Sequence, residues 1–238
     1  MLVTGNDLEL IRRTKEESHK AFKIKDLGNL KYFFGMEFSR SKKGILINQR
    51  KYALEIISET GLGGAKPAWT RLEMNEKLTA IELDNLTGKE DDDMLEDVGQ
   101  YKRGIGRLLY LTLTRPDIAF SVQTLSQFLQ QPKKSHWDAA MRMIRYVKRQ
   151  PGLGILMSSN KSNTMVVYCD SDWASCPNTR RSVSGFLVKY GDSLISWKSK
   201  KQTTVSRSSP KAEYRSMGSV VAKVVWLTTL TKELEGGI

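Results

Sequence analysis

At Pro151 and Gly152 the apolar pattern of this chain changes its period, and that change limits what it can fold into. Before it, apolar residues recur at helical spacing. In "HWDAAMRMIRYVKRQ", for example, Trp137, Met141, Ile144 and Val147 fall on one side, as the core stripe of a helix does. After it they fall into four short runs, "GLGILMSS", "NTMVVYCDSDWA", "SVSGFLVKYG" and "SLISWKSKK", separated by Gly, Asn, Asp and Ser in the manner of strands. "GD" at 191–192 suits the turn of a hairpin between the third and fourth runs. From Ser209 to Glu235 the helical period returns, with Met217, Val220, Val221, Val224, Leu227 and either Leu230 or Leu234 on one side. Segregated helices and strands predict an α+β fold, ending in a strand, a β-hairpin and a long helix.

The rest of the chain divides at its breakers. "MLVTG" reads as a short strand, and Asn6 and Asp7 as N-caps of the helix "LELIRRTKEESHKAF", with Leu8, Ile11 and the Lys15 stem on one face. "LGNLKYFFGMEFSR" and "KKGILINQRKY" predict a hairpin turning near Gly44, and "YALEIISETGL" a helix stopped by Gly61. These make a unit over 1–62. Residues 63–98 hold Pro67 and an acidic cluster but no periodic run, and read as a linker or surface loop. Residues 99–150 predict three helices: "GQYKRGIGRLLYLTLT", "RPDIAFSVQTLSQFLQQ" with Pro116 near its start and Pro132 after it, and the helix described above, with Ser135 as its cap. The last unit is 151–238.

Charge narrows the class of partner. The net charge is +12, yet residues 81–99 hold eight acids (Glu82, Asp84, Glu90, Asp91, Asp92, Asp93, Glu96, Asp97) against Lys89. Without that stretch, 37 bases face 18 acids, a net +19, which points to a polyanion such as nucleic acid. The acidic stretch lacks the alternating ligands, central Gly and distal Glu of a calcium loop, so it reads as a solvated loop. No apolar run approaches the ~20 residues of a membrane span, and the N-terminus does not read as a signal peptide. Cys169 and Cys176 make no disulfide framework, and His19 and His136 lie far from both, which argues against zinc. An intracellular protein, cytoplasmic or nuclear, is expected.

Two carboxylates invite chemistry. Asp170 ends a buried strand and Glu213 opens a helix, so both can point into one space, as half of a divalent-metal site. Two-metal phosphodiester cleavage needs about four carboxylates around Mg²⁺. Asp172 is either a third ligand or a cap for the turn through "DWASCPN". The run "WKSKKQTTVSRSS" places Trp197, Lys198, Lys200, Lys201 and Arg207 together, a stacking ring among phosphate-binding charges. It reads equally as a solvated strand end with Trp197 in the core.

These stretches resemble, in family order, the Pol polyprotein of copia-type LTR retrotransposons. The similarity runs through "MLVTGND", "LGNLKYFFGMEFSRSKKGILINQRKYALEIISETGL", "YKRGIGRLLYLTLTRPDIAFSVQTLSQFLQQP", "HWDAAMRMIRYVKRQPGLGI" and "YCDSDWASCPNTRRSVSGFLVKYGDSLISWKSKKQTTVSRSSPKAEYRSM". The resemblance implies the end of a reverse transcriptase palm over 1–62, a thumb- or connection-like helical region over 99–150, and the first part of an RNase H-like domain over 151–238. It makes Asp170 and Glu213 the first RNase H carboxylates, with Mg²⁺ as the family's metal, and an RNA/DNA hybrid or duplex as partner. The family's polymerase aspartates belong before "MLVTG" and its later RNase H aspartates beyond the long helix. Lys211 stands where the family carries an acid beside the Glu, Lys223 replaces another usual Glu, and Thr70–Arg71 replaces a usual Thr-Pro. The expectation is therefore a catalytically inactive remnant with residual nucleic-acid binding. The alternatives are a hybrid ribonuclease completed by another chain, or a host-used interaction module. The strand "TMVVYCDS" is expected to present a bare sheet edge through which the protein self-associates.

Overall fold

The computed structural model describes residues 2–5, 7–73, 77–88, 92–160 and 162–236, with side chains as far as Leu234. The expected cap Asn6 and the charged residues Lys89, Glu90 and Asp91 lie outside the described residues. Asp7 starts the first helix, α1 (Leu8–Ala21): its carboxylate accepts from the Glu9 and Leu10 amides at 2.9 and 3.0 Å. No residue of α1 is buried. Leu2–Gly5, expected as a strand, has no regular structure, and among the described residues no strand pairs with it.

The expected hairpin forms. β1 (Tyr32–Phe33), β2 (Met36–Ser41) and β3 (Gly44–Asn48) are antiparallel, with Ser41 opposite Gly44 across a two-residue turn. The first strand of the expected C-terminal unit, β4 (Gly154–Ser158), is not part of that unit's sheet. It pairs with β3, giving the order β1-β2-β3-β4. Glycines at both ends of the pairing permit it. A Cβ on Gly44, whose φ is +133°, would lie 1.9 Å from the Met157 carbonyl oxygen, and one on Gly154 would lie 2.1 Å from that of Ile47. Residues 154–158 thus tie the end of the chain's helical part back to its beginning.

α2 (Arg50–Glu59) stops as expected where Gly61 turns left-handed at φ +70°. Within 63–98, expected as a linker or surface loop, several described residues are tied to the later helix Lys134–Arg149. The Lys148 ammonium donates to the carbonyls of Leu62 and Ala65 at 3.0 and 2.8 Å, and the Ala68 amide donates to Arg145 O at 3.1 Å. A short helix, α3 (Ile81–Thr87), follows, and Met94 forms an antiparallel bridge with Lys133. Asp84 and Asp92 of this stretch pair with Lys133, and Asp93 with Lys134, which the linear pattern of charges did not reveal.

α4 (Val98–Leu111) is capped by the Asp97 carboxylate, which accepts from Gln100 N at 2.8 Å. Pro116 opens a 3₁₀ turn leading into α5 (Ala119–Leu125). α6 (Lys134–Arg149) begins before Ser135, which was expected to cap it. Ser135 instead donates to Asp92 at 2.6 Å, and the Lys133 amide donates to His136 Nδ1 at 3.0 Å. The helices α2, α4, α5 and α6 share one core. It contains Ala53, Ile56 and Ile57 of α2, Tyr101, Ile105, Leu108 and Leu111 of α4, Val122 and Leu125 of α5, and Ala140, Met143, Ile144 and Val147 of α6.

A second antiparallel sheet, in the order β5-β6-β7, is built from β5 (Met165–Ser171), β6 (Val183–Tyr190) and β7 (Ser193–Lys201). Gly191, at φ +55°, makes the expected hairpin turn between β6 and β7. α7 (Ser209–Gly236) crosses this sheet. Its buried line is Ala212, Ser216, Val220 and Leu227, rather than the full apolar stripe of the sequence. Small residues at 212 and 216 let the helix backbone approach the sheet, and Met217 and Val221 are left 43% and 59% exposed. The whole is a mixed α+β fold, as its sequence implies.

Candidate nucleic-acid interface

The second sheet, the loops that adjoin it and α7 carry the residues singled out for chemistry or binding. Asp170 is exposed near the end of β5, and the Ser216 hydroxyl of α7 donates to its backbone carbonyl at 3.1 Å. Glu213 is half-buried just after the first turn of α7, three residues before Ser216 and so on the same helix face. Asp172 is a turn residue. Its Oδ1 accepts from Val183 N at 2.6 Å, and its Oδ2 takes the hydroxyl of Ser175. That leaves Asp170 on β5 and Glu213 on α7, two elements joined by the Ser216 hydrogen bond. Among the described residues no group of three or more His, Cys, Asp or Glu side chains converges. The set present therefore does not fit a two-metal centre, which takes about four carboxylates. A Mg²⁺ ion held by Asp170 and Glu213 would need water for most of its ligands, and weak binding follows.

The basic run is sorted by the two-residue period of its strand. One face of β7 holds the helical core: Trp197 Nε1 donates to the Thr112 carbonyl at 3.0 Å, and Lys201 Nζ donates to Gln127 Oε1 at 2.6 Å. Lys198 and Lys200 point to the other face and are exposed. Across the ladder Lys198 stands opposite Phe186, and Lys200 opposite Ser184. Arg207 is exposed in the loop that enters α7. The five residues expected to form one binding surface are thus divided, with Lys198, Lys200 and Arg207 open to solvent and Trp197 and Lys201 engaged with the helical region.

Between this face of the sheet and the middle of α7 runs a groove of about 550 Å³. Phe186, Lys198 and Lys200 line one wall, and Ser219, Lys223 and Trp226 the other. The Lys223 ammonium lies 4.0 Å from the centroid of the Trp226 ring, a cation–π contact. Gln202 bridges the sheet and the helix: its side-chain nitrogen lies 2.9 Å from Ser184 Oγ, 3.0 Å from Ala212 O and 3.1 Å from Ser171 Oγ. Sequence reasoning missed Gln202, because a lone Gln in "KKQTT" carries no pattern. Trp226 was also missed, although its spacing of three from Lys223 puts both on one face of a helix.

Comparison with known proteins places these features in a lineage. The family described as reverse transcriptase (RNA-dependent DNA polymerase) matches residues 1–74. The chain is 35% identical over 234 residues to the retrovirus-related Pol polyprotein from transposon RE2 of Arabidopsis thaliana, covering 98% of this chain and 16% of that protein. It is 34% identical over 226 residues to an uncharacterized mitochondrial protein of Arabidopsis thaliana, covering 95% of this chain and 90% of that protein. It is also 39% identical over 137 residues to the secreted RxLR effector protein 161 of Plasmopara viticola, covering 57% of this chain and 96% of that protein. The chain thus spans about one-sixth of the RE2 polyprotein's length. No solved structure matches it significantly.

Proposed function

The chain belongs to the copia-type retrotransposon Pol family, and from that premise we propose that residues 1–238 bind nucleic acid through the groove between β7 and α7 without themselves synthesising or cleaving it. One observation carries the reading: β7 turns Lys198 and Lys200 to the side where α7 presents Lys223, so three cations surround one recess. Lys223 adds a positive charge where the family resemblance expects an acid. Arg207 extends the positive surface toward the start of α7. We assign β5 to β7 and α7 to the first part of an RNase H-like domain, because Asp170 and Glu213 stand in the family's order and the Ser216 hydroxyl of α7 bonds the Asp170 backbone carbonyl. The two carboxylates are too few for the two-metal reaction, and Asp172 is committed to its turn. Both cysteines are free thiols, which suits a reducing, intracellular setting. No helix among the described residues is long and apolar enough to cross a membrane. We also infer self-association along β5, which pairs with β6 on one side and with no strand of the described residues on the other.

Binding of the purified chain to an RNA/DNA hybrid across a salt series tests the proposal. Affinity is expected to fall steeply with salt, by about 0.9 in log–log slope for each phosphate contact on a B-form duplex. Changing Lys198, Lys200 and Lys223 together to Ala should weaken binding and flatten the slope. An unchanged affinity would mean that the groove is not the interface. With Mg²⁺ and either a primed template or the hybrid, neither extension nor cleavage is expected. Cleavage that disappears in Asp170→Asn would establish a ribonuclease instead.

A further inference from the structure

We propose that the groove between the β6–β7 face and the middle of α7 receives an unpaired nucleotide of a single strand, with its base against Trp226 and its flanking phosphates on Lys198 and Lys200. This rests on the nucleic-acid reading above and specifies the form of nucleic acid that the groove takes.

Two chemistries line the recess, and phosphate binding explains only one of them. Lys198, Lys200 and Lys223 supply the charge. Phe186 and Trp226 supply aromatic rings in the same space. Trp226 stays 55% exposed, although it lies on the side of α7 that borders the sheet. Its ring is not used by the core: the buried line of the helix is Ala212, Ser216, Val220 and Leu227. Lys223 lies over one face of the ring. An aromatic ring with an open face beside lysines is the pairing that single-strand-binding surfaces use, with stacking for the base and cations for the backbone. In a duplex the faces of the bases are already stacked on one another, so only an unpaired nucleotide offers a base face together with its phosphates. The groove, at about 550 Å³, has walls formed by a helix and a sheet of one small unit, and this too favours a single strand over a paired helix. The remaining lining groups include the hydroxyls of Ser184, which is bonded to Gln202, of Ser219, which donates to Ser216 O at 2.8 Å, and of Ser196. They provide no fixed pattern against one base, and little sequence preference follows.

The test uses the full chain and three probes of equal length: an oligo-dT strand, a strand of the same backbone in which the central positions are abasic, and an RNA/DNA hybrid. The intact strand should bind on the order of tenfold more tightly than the abasic strand, the range of one stacked base. Trp226→Ala should bring the intact strand down to the abasic level, and Trp226→Phe should keep part of the difference. Equal binding of the intact and abasic strands by the unaltered protein, or a difference that survives Trp226→Ala, overturns the inference. In either case salt-dependent binding of the hybrid would leave the broader proposal standing. Failure of all three probes to bind overturns both. A second readout needs no variant: ultraviolet crosslinking of a 5-iodouracil strand to the unaltered protein should label the peptide that contains Trp226, and labelling confined to other peptides overturns the placement.

Discussion

Lys133 shows how much of this molecule depends on single charged groups. It is 1% exposed and ion-paired with Asp84, itself 2% exposed, and with Asp92 at 2.8 Å. Burial alone would raise the carboxyl of Asp84, but hydrogen bonds from Lys133 and Thr79 hold it below the usual carboxylate range. Lys133→Met should therefore destabilise the protein by about 3–5 kcal/mol, because it leaves a buried carboxylate without its counter-charge. Urea unfolding at neutral pH measures this, and a loss below about 1 kcal/mol would mean that water reaches Asp84. His136 stands beside the pair with no exposed surface, its Nδ1 accepting from Lys133 N and its Nε2 at 3.1 Å from Thr79 O. Burial and the Lys133 charge push its pKa down to about 4. The folded protein thus holds it neutral, while the unfolded chain protonates it near 6.5. Its contribution is neutral above pH 6.5 and turns destabilising as pH falls toward 4, by about 2 kcal/mol at pH 5. A series of unfolding curves from pH 7.5 to 5 should show that decline, and a flat profile would place a proton on the folded imidazole. The residues of this cluster are visible in the sequence as acids of a loop, a Lys and a His. That they meet was not legible, because the partners lie 41–49 residues apart.

At the scale of elements, β7 and β5 show what a two-residue period does. In β7 it sends Trp197 and Lys201 to the helical core and Lys198 and Lys200 to the groove. The period was legible in "SLISWKSKK", and the functional division was not, because a strand does not announce what covers each face. In β5 the phase of the ladder follows from Asp172 N, which donates to Val183 O, and Thr164 O, which accepts from Gly191 N. Alternate residues 166, 168 and 170 therefore point their backbone groups toward β6. Those of Met165, Val167, Cys169 and Ser171 point outward. Val166 and Tyr168 add exposed side chains, at 37% and 58%. Such an edge templates another strand. Tyr168→Lys, a charge on the exposed face of an edge strand, should lower self-association measured by sedimentation velocity at constant salt. Unaltered sedimentation in an associating protein would move the contact elsewhere, and the exposed side of α7 with Met217 and Val221 is the alternative surface.

Over the whole molecule, burial is uneven. The contiguous core joins α2, α4, α5 and α6, whereas the second sheet and α7 bury only scattered apolar residues such as Val183, Val188, Val220 and Leu227. Local opening follows local burial. Amides of residues 153–238 should exchange with solvent faster than those of α4 and α6, and equal protection of both regions would show that a partner or a second copy covers the sheet. By itself the sequence determined the class of fold, the β2–β3 hairpin, the helices of the core, the turn at Gly191 and the kinship carried by its motifs. All of these rest on periodicity, caps and turn residues a few positions apart, where local sterics and local burial decide the outcome. Only the tertiary structure decided that β4 joins the first sheet, that Leu62, Ala65 and Ala68 are held by α6, that Asp172 closes a turn, and that Trp226 faces Lys198 and Lys200 across a groove. Each of those depends on which surfaces remain unpaired after the local elements have formed. That is settled by long-range burial and charge pairing, which no window of adjacent residues contains.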